Sequence, residues 1–360
     1  MDQLRQKRIQ GVRERLWKLG ADALLSTRPV NIFYLSGFTG SSGALVVRPS
    51  AVYLLTDSRY ALQSRQEAKS ARIQITSGSL LEAVGTFIRR IRVRRLAVEA
   101  HSLTLAQFNE LRRHTGSRIR LIPSIAWIEE LREIKDRDEI LRIRKAAQLT
   151  LAAFEEVLSH VRPGAREIEL AAEIEYRMKQ KGASGAAFDT IVASGCRAAL
   201  PHAQPSSKKL RRNELVVFDL GAILHGYCSD LTRTIFLGRA PAKLRSWYHS
   251  VWQAQQAAHH ATRPGATAGE IDAEARRVLE QAGLSQWFTH STGHGLGLEL
   301  HENPKLARGQ KTMLTSGNVV TIEPGIYVKG LGGIRIEDDF VVTARGAEAL
   351  TSSPAKLLEL

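Results

Sequence analysis

The sequence predicts an α+β chain of two domains, a smaller α/β domain followed by a larger one assembled from two related halves. Three observations carry this expectation. The 360 residues exceed the usual reach of a single hydrophobic core. After Pro123 the hydrophobic pattern changes from short apolar runs to a long stretch of helical period. Beyond that point two segments align without a gap at a separation of 101 residues.

The first domain is placed at residues 1–124. Residues 2–19 carry basic residues at helical spacing and read as a helix, and Ala23 to Leu25, Leu45 to Val47 and Val52 to Leu55 read as strands. Between them Gly37, Gly40 and Gly43 in YLSGFTGSSG mark turns. Their spacing is neither that of a dinucleotide fingerprint nor that of a P-loop. RIRLIPS then reads as a closing strand.

The second domain is placed at residues 125–360. It opens with the helical stretch WIEELREIKDRDEILRIRKAAQLTLAAFEEVLSHV, which Arg162, Pro163 and Gly164 terminate. The repeat follows. RPGAREIELAAEIEYRMKQKGA from Arg162 and RPGATAGEIDAEARRVLEQAGL from Arg263 share their opening tetrapeptide, and Glu169/Glu270, Glu173/Glu274, Gln180/Gln281 and Gly182/Gly283 stand in register. Each copy reads as a helix started after a Pro-Gly turn and stopped by glycine. Downstream, NELVVFDLGA and GNVVTIEPGI each place an acid two residues before a glycine, Asp219 and Glu323. A second strand in each half supplies Asp230 in GYCSDLTRTIFLG and Glu337 in GGIRIEDDFVV. A pseudo-twofold arrangement would gather all four carboxylates.

Acids within runs of valine, isoleucine and phenylalanine are costly to bury as free anions. One alone reads as an exposed strand residue. Four at matched places read as a cation site, and their formal charge of −4 is neutralised by two divalent ions rather than one. Such a pair could bridge a hydroxide that attacks an acyl bond, with no covalent intermediate. Oxygen ligation with one imidazole suits Mn²⁺, with Co²⁺, Zn²⁺ or Fe²⁺ as alternatives. HSTGHGLGLELHE supplies His290, His294 and His301 among glycines that permit close backbone approach, and His202 lies in the proline-flanked ALPHAQPS. His249, His259 and His260, on a predicted helix, read as structural. No Gly-x-Ser-x-Gly elbow is present, and neither cysteine sits in a nucleophile motif.

Composition narrows the partners. No stretch approaches the apolar length of a membrane helix, and the amino-terminal segment lacks the apolar run of a signal peptide, so a cytoplasmic protein is expected. Cys196 and Cys228 are the only cysteines and are expected to be reduced, buried and inert. The net charge of +15 raises nucleic acid or an acidic membrane as partners, with Arg89, Arg90, Arg92, Arg94 and Arg95 concentrating it. No aromatic residues interleave with that run, which therefore reads as a solvated rim, and nucleic acid is set aside.

Nearly the whole chain resembles the pita-bread (creatinase/aminopeptidase) metallopeptidases, in particular the Xaa-Pro branch of aminopeptidase P and prolidase. The resemblance rests on IVASGCRAALPHAQPS, LVVFDLGAILHGYCSDLTRT, HSTGHGLGLELHE, TIEPGIY and GGIRIED, and in the first domain on YLSGFTGSSG and LLTDSRY. It implies a creatinase-like first domain beside a pita-bread catalytic domain. It implies that Asp219 chelates one metal, that Asp230 and Glu337 bridge two, and that His294 and Glu323 complete the ligands of the other metal, Glu323 doubling as general base and acid. His202 and His301 would stabilise the oxyanion and grip the substrate carbonyl. His290, Arg335 and Tyr327 would shape the substrate pocket. The implied activity is cleavage of Xaa-Pro bonds at the amino terminus of peptides, with a dipeptide-only prolidase as the alternative and a catalytically idle binding module for nucleic acid or protein as a reading of another class. The implied assembly is a homodimer.

Overall fold

The computed structural model describes residues 2–360, and the chain divides into two compact units, residues 1–131 and 132–360. The sequence pattern suggested a break after residue 124. β-structure of the first unit does end at Ser124, but the following residues still pack with it, Tyr34 Oη donating to Leu131 O at 3.0 Å.

In the first unit helices and strands alternate: α1 (Asp2–Leu19), β1 (Ala23–Ser26), α2 (Pro29–Ser36), β2 (Ala44–Val47), β3 (Val52–Asp57), α3 (Ala61–Glu67), β4 (Arg72–Thr76), α4 (Leu80–Arg90), β5 (Arg95–Glu99), α5 (Leu105–Thr115) and β6 (Arg120–Ser124). The strands form one sheet in the order β4-β3-β2-β1-β5-β6. Strand β2 runs antiparallel to both neighbours, and the other five share one direction. Local signals set the boundaries. Pro29 starts α2, Gly37 in the left-handed conformation ends it, and Thr104 with Gln107 forms a capping box on α5. Leu25, Val46, Leu55, Val84, Ile88, Leu96 and Val98 fill the core between sheet and helices.

Helix α6 (Trp127–Glu133) spans the division, and α7 (Arg137–Val157) follows. The sequence reads these as one helical stretch. Asp136 separates them, because its carboxylate caps the amides of Asp138 and Glu139 while Glu139 reaches back to the amide of Asp136. Then come α8 (Glu167–Gln180), β7 (Gly185–Ala186), β8 (Ile191–Ser194), β9 (Glu214–Leu220), β10 (Ala222–Leu224), β11 (Tyr227–Cys228) and β12 (Leu231–Leu237). The second half holds α9 (Ala242–Ala261), α10 (Ala268–Gln281), β13 (Gly293–Gly295), β14 (Glu302–Leu306), β15 (Val319–Ile322), β16 (Gly325–Val328), β17 (Gly332–Arg335), β18 (Asp338–Thr343), β19 (Gly346–Ala349) and β20 (Leu358–Glu359).

The repeat is visible in detail. Helices α8 and α10 are both 14 residues long and keep the 101-residue offset at each end. Gly164 N donates to Leu210 O at 2.9 Å, and Gly265 N to Leu314 O at 2.9 Å. The two larger sheets run β20-β12-β9-β8 and β14-β13-β15-β18-β19, beside a small sheet β11-β10-β7 and the pair β16-β17. Each half has its own core: α7 and α8 cover the first sheet through Phe154, Ile174, Val216 and Phe218, while α9 and α10 cover the second through Val251, Ile271, Val320 and Phe340. An isolated antiparallel bridge between Thr232 and Glu337 joins the two halves.

Cys228 is buried, and burial pushes its thiol up to about 12. Cys196 departs from expectation: it is exposed, in the 3₁₀ turn Gly195–Ala199, with Sγ 3.2 Å from Gly330 O. The helical histidines are structural, His249 stacking on Trp252 and His259 reaching Ala347 O at 2.9 Å. Among the described residues no helix is long and apolar enough to cross a membrane.

Candidate metal centre

The middle strands of both halves converge on one buried cluster. Asp219 lies at the end of β9, and Asp230 just precedes β12, its antiparallel neighbour. Glu323 follows β15, and Glu337 lies between β17 and β18. His294 is the middle residue of β13. Its flanking glycines are required by close approach: a Cβ on Gly293 would overlap Thr321 O, and one on Gly295 would overlap Asn303 O.

Ligand atoms of Asp230, His294 and Glu337, all three buried, lie within 4.8 Å of one another, so these residues form a group able to hold a metal ion. Glu323 joins them, with Oε1 3.6 Å from His294 Nε2, the same separation as Asp230 Oδ2. Asp219 reaches the cluster through Arg335 and Thr232. Arg335 Nη2 donates to Asp219 Oδ2, Arg335 Nε donates to Thr232 Oγ1 at 3.0 Å, and Thr232 Oγ1 donates to Glu337 Oε2 at 2.6 Å.

The electrostatics mark a site built for cations. Burial, and then mutual repulsion, drives Asp230 well above the carboxylate range, and Glu323 likewise. Burial and the neighbouring Asp219 push Glu337 up to about 8. Burial raises Asp219 too, against the pull of Arg335. Asp230, Glu323 and Glu337 therefore favour their protonated forms, and a divalent cation would compete with those protons. One oxygen each of Asp219, Asp230 and Glu337 is buried with no hydrogen-bond partner. An orphaned acceptor costs free energy unless something binds it, so the donor set fits metal.

The histidines surround this cluster. Burial, and next the charge of His301, lowers His294 to about 4, leaving a neutral imidazole suited to ligation. His290 is lowered to about 4, mainly by burial. Its Nδ1 donates to Ser291 O at 2.8 Å, which leaves Nε2 to accept from Tyr327 Oη at 2.9 Å. Tyr327 Oη in turn accepts from Arg335 Nη1 at 2.8 Å. His301 and His202 are exposed at the edge, the His301 ring standing edge-on to His294 with centroids 4.2 Å apart. Arg335 also donates to Pro201 O at 3.1 Å, beside His202. All ten residues singled out in the sequence thus belong to one neighbourhood. Several supporting groups were missed: Thr232, Thr321 and Asp339, and the buried Arg132 and Lys135 that hold Glu302 under the glycine loop. Thr321 Oγ1 accepts from His294 N, and Asp339 accepts from Asp230 N, so both place ligand backbones.

Residues 142–344 match the metallopeptidase family M24 model, and residues 8–134 match the creatinase/prolidase N-terminal domain. The chain belongs to metallopeptidase family M24. Its fold is the pita-bread catalytic domain preceded by a creatinase-type domain. An M24 relative, the Xaa-Pro dipeptidase of Pyrococcus furiosus, is 36% identical over 96% of this chain and 100% of its own. The structure of an Xaa-Pro dipeptidase from Bacillus anthracis superposes with a TM-score of 0.95 at 38% identity, covering 99% of this chain and 100% of that one. An X-Pro aminopeptidase from Thermotoga maritima gives 0.91 at 34% identity, covering 96% and 100%.

Proposed function

We propose that this M24 peptidase hydrolyses the Xaa-Pro bond of short peptides, using two divalent cations held by Asp219, Asp230, His294, Glu323 and Glu337, for which Mn²⁺ is the best-suited ion and Co²⁺, Zn²⁺ or Fe²⁺ are alternatives. The observation that carries this reading is the convergence of three buried carboxylates, the half-buried Glu323 and one neutral imidazole, the three buried carboxylates each offering an unpartnered oxygen. When bound, the cations supply Lewis acidity, which lowers the pKa of water and stabilises negative charge on the acyl oxygen. Glu323, ionised once cations displace the proton that burial otherwise holds on it, would take a proton from the attacking water and return it to the departing proline nitrogen. His301, lowered chiefly by burial, and His202 present N–H groups at the exposed edge for the carbonyl oxygen as it gains charge. Arg335 and Tyr327 keep His290 and the Pro201 backbone in place.

The sequence placed the aminopeptidase reading first. Full-length likeness to proteins named Xaa-Pro dipeptidase now weighs toward dipeptides, while the Thermotoga maritima neighbour supports the aminopeptidase reading. Comparing turnover of Ala-Pro with Ala-Pro-Ala separates them. Chelation is expected to abolish activity, and Mn²⁺ or Co²⁺ to restore it. Full metal-dependent turnover by Asp230→Ala and His294→Ala variants would overturn the site assignment.

A further inference from the structure

The positive charge of this protein is concentrated in one place. Residues 1–131 hold 21 Lys and Arg against 10 Asp and Glu, whereas residues 132–360 hold 30 against 26, so +11 of the +15 belongs to the first unit. Topology then gathers it. Strands β1, β4, β5 and β6 run in one direction, and each is entered from the carboxyl end of a helix. The four entering segments, residues 17–22, 69–72, 89–95 and 112–120, therefore lie along one edge of the first unit. Together they hold twelve Lys and Arg, all exposed, and one acid, Asp22. Asp22 is already committed, accepting from the amides of Arg94 and Arg95 at 2.8 Å.

Two ordinary explanations fall short. Basic residues favour the last turn of a helix, which covers Lys18, Arg89, Arg90, Arg112 and Arg113. Arg95 Nη2 also donates to Leu19 O, the last carbonyl of α1, at 2.7 Å. That leaves Lys69, the strand-opening Arg72 and Arg120 and the connecting Arg92, Arg94 and Arg118 unexplained. Local ion pairing fails as well, since among the described residues none of the twelve is within 4 Å of a carboxylate. Arg95 and Arg120 are even register partners on adjacent strands, where like charges repel. Such an edge is stabilised by an external polyanion.

We propose that this edge of the first unit binds the phosphate backbone of nucleic acid without sequence specificity. Six strands at about 4.8 Å spacing give an edge of about 24 Å, along which duplex DNA carries about 14 phosphate charges, about half of them on the side facing the protein. Twelve cations are enough to meet all of those that face them. Ten are arginines, whose planar forks suit phosphate oxygens. A membrane surface is the weaker fit, because interfacial binding needs a set of apolar side chains and Trp17 is the one large exposed apolar residue in these segments. The sequence alone favoured a solvated rim; the common strand direction and the missing counter-charges reverse that preference.

The test is anisotropy of the full-length protein with a fluorescein-labelled 24-base-pair duplex and a single strand of the same length, from 50 to 200 mM NaCl. Binding that weakens about 10³-fold across this range, as six phosphate contacts require, is expected. The variant R90Q/R94Q/R112Q/R118Q should lose about 3.6 from the log–log salt slope while its melting temperature and peptidase turnover stay at wild-type values. No binding at 50 mM NaCl overturns the proposal. So does an unchanged slope in the variant, which would place the nucleic acid elsewhere. Co-sedimentation with phosphatidylserine vesicles in the absence of duplex binding would assign the edge to a membrane and overturn it equally.

Discussion

Neutralising Glu337 without changing its shape, by Glu337→Gln, isolates the electrostatic cost of the metal-free centre. Burial and Asp219 hold the Glu337 carboxyl at about 8, against an ordinary value of 4.5. A raised carboxyl pKa means that the folded state binds the proton more tightly than the unfolded state. The stability this confers is complete below the unfolded value and is lost as pH rises through the folded one. The difference is worth about 5 kcal/mol at most, because neighbouring carboxyls share the protons. On the order of 1 kcal/mol of it falls between pH 7 and 9. That window avoids the opposing contribution of His290 and His294, whose lowered folded values act between about 4 and the unfolded 6.5. In a unit of this size 1 kcal/mol corresponds to about 2–4 °C. Metal-stripped protein should therefore melt a few degrees lower at pH 9 than at pH 7, beyond any drift shared with Glu337→Gln, as followed by scanning calorimetry. Saturating Mn²⁺ should remove the difference, and calorimetric titration in buffers of unequal ionisation enthalpy should register proton release on binding. Identical pH slopes for wild type and Glu337→Gln would refute the reasoning, for they would mean that Glu337 is ionised without a cation.

Two further outcomes follow from single contacts. Tyr327→Phe removes the hydroxyl that accepts from Arg335 and donates to His290, and should lower kcat/KM about tenfold, in line with roughly 1–2 kcal/mol per lost hydrogen bond to a charged group, with little change in melting temperature. Glu167→Leu strands the five donors that converge on this buried carboxylate, from Ser194, Arg197 and Ser206. It should cost about 3–5 kcal/mol, read as a lower urea midpoint.

The four acids were legible because duplication made them comparable. Asp219 or Glu337 alone is an acid in a strand, whereas matched acids in two copies point to a shared cation. The glycines around His294 were legible for a related reason, since their density implies close backbone approach. Thr232, Thr321 and Asp339 were not. A threonine in a strand is ordinary, and the partners of these residues lie across strands that local pattern does not pair. Arg132 meets Glu302 across 170 residues, a contact that only the folded chain discloses. The break between α6 and α7 could have been read from Asp136 and Glu139, a capping box hidden inside an otherwise helical run of charges. Nothing around Cys196 announces its exposure, because one cysteine carries no periodicity.

The bridge between Thr232 and Glu337 has a consequence for how tightly the catalytic unit coheres. Asp230 comes from the first half, His294 and Glu337 from the second, so an ion gripped by all three is also a rivet between the halves. Affinity for the ion and adhesion of one half to the other are then a single free energy read from two ends. With the proposed ligand set, whatever loosens the seam would weaken the grip on metal, and starving the protein of metal would loosen the seam.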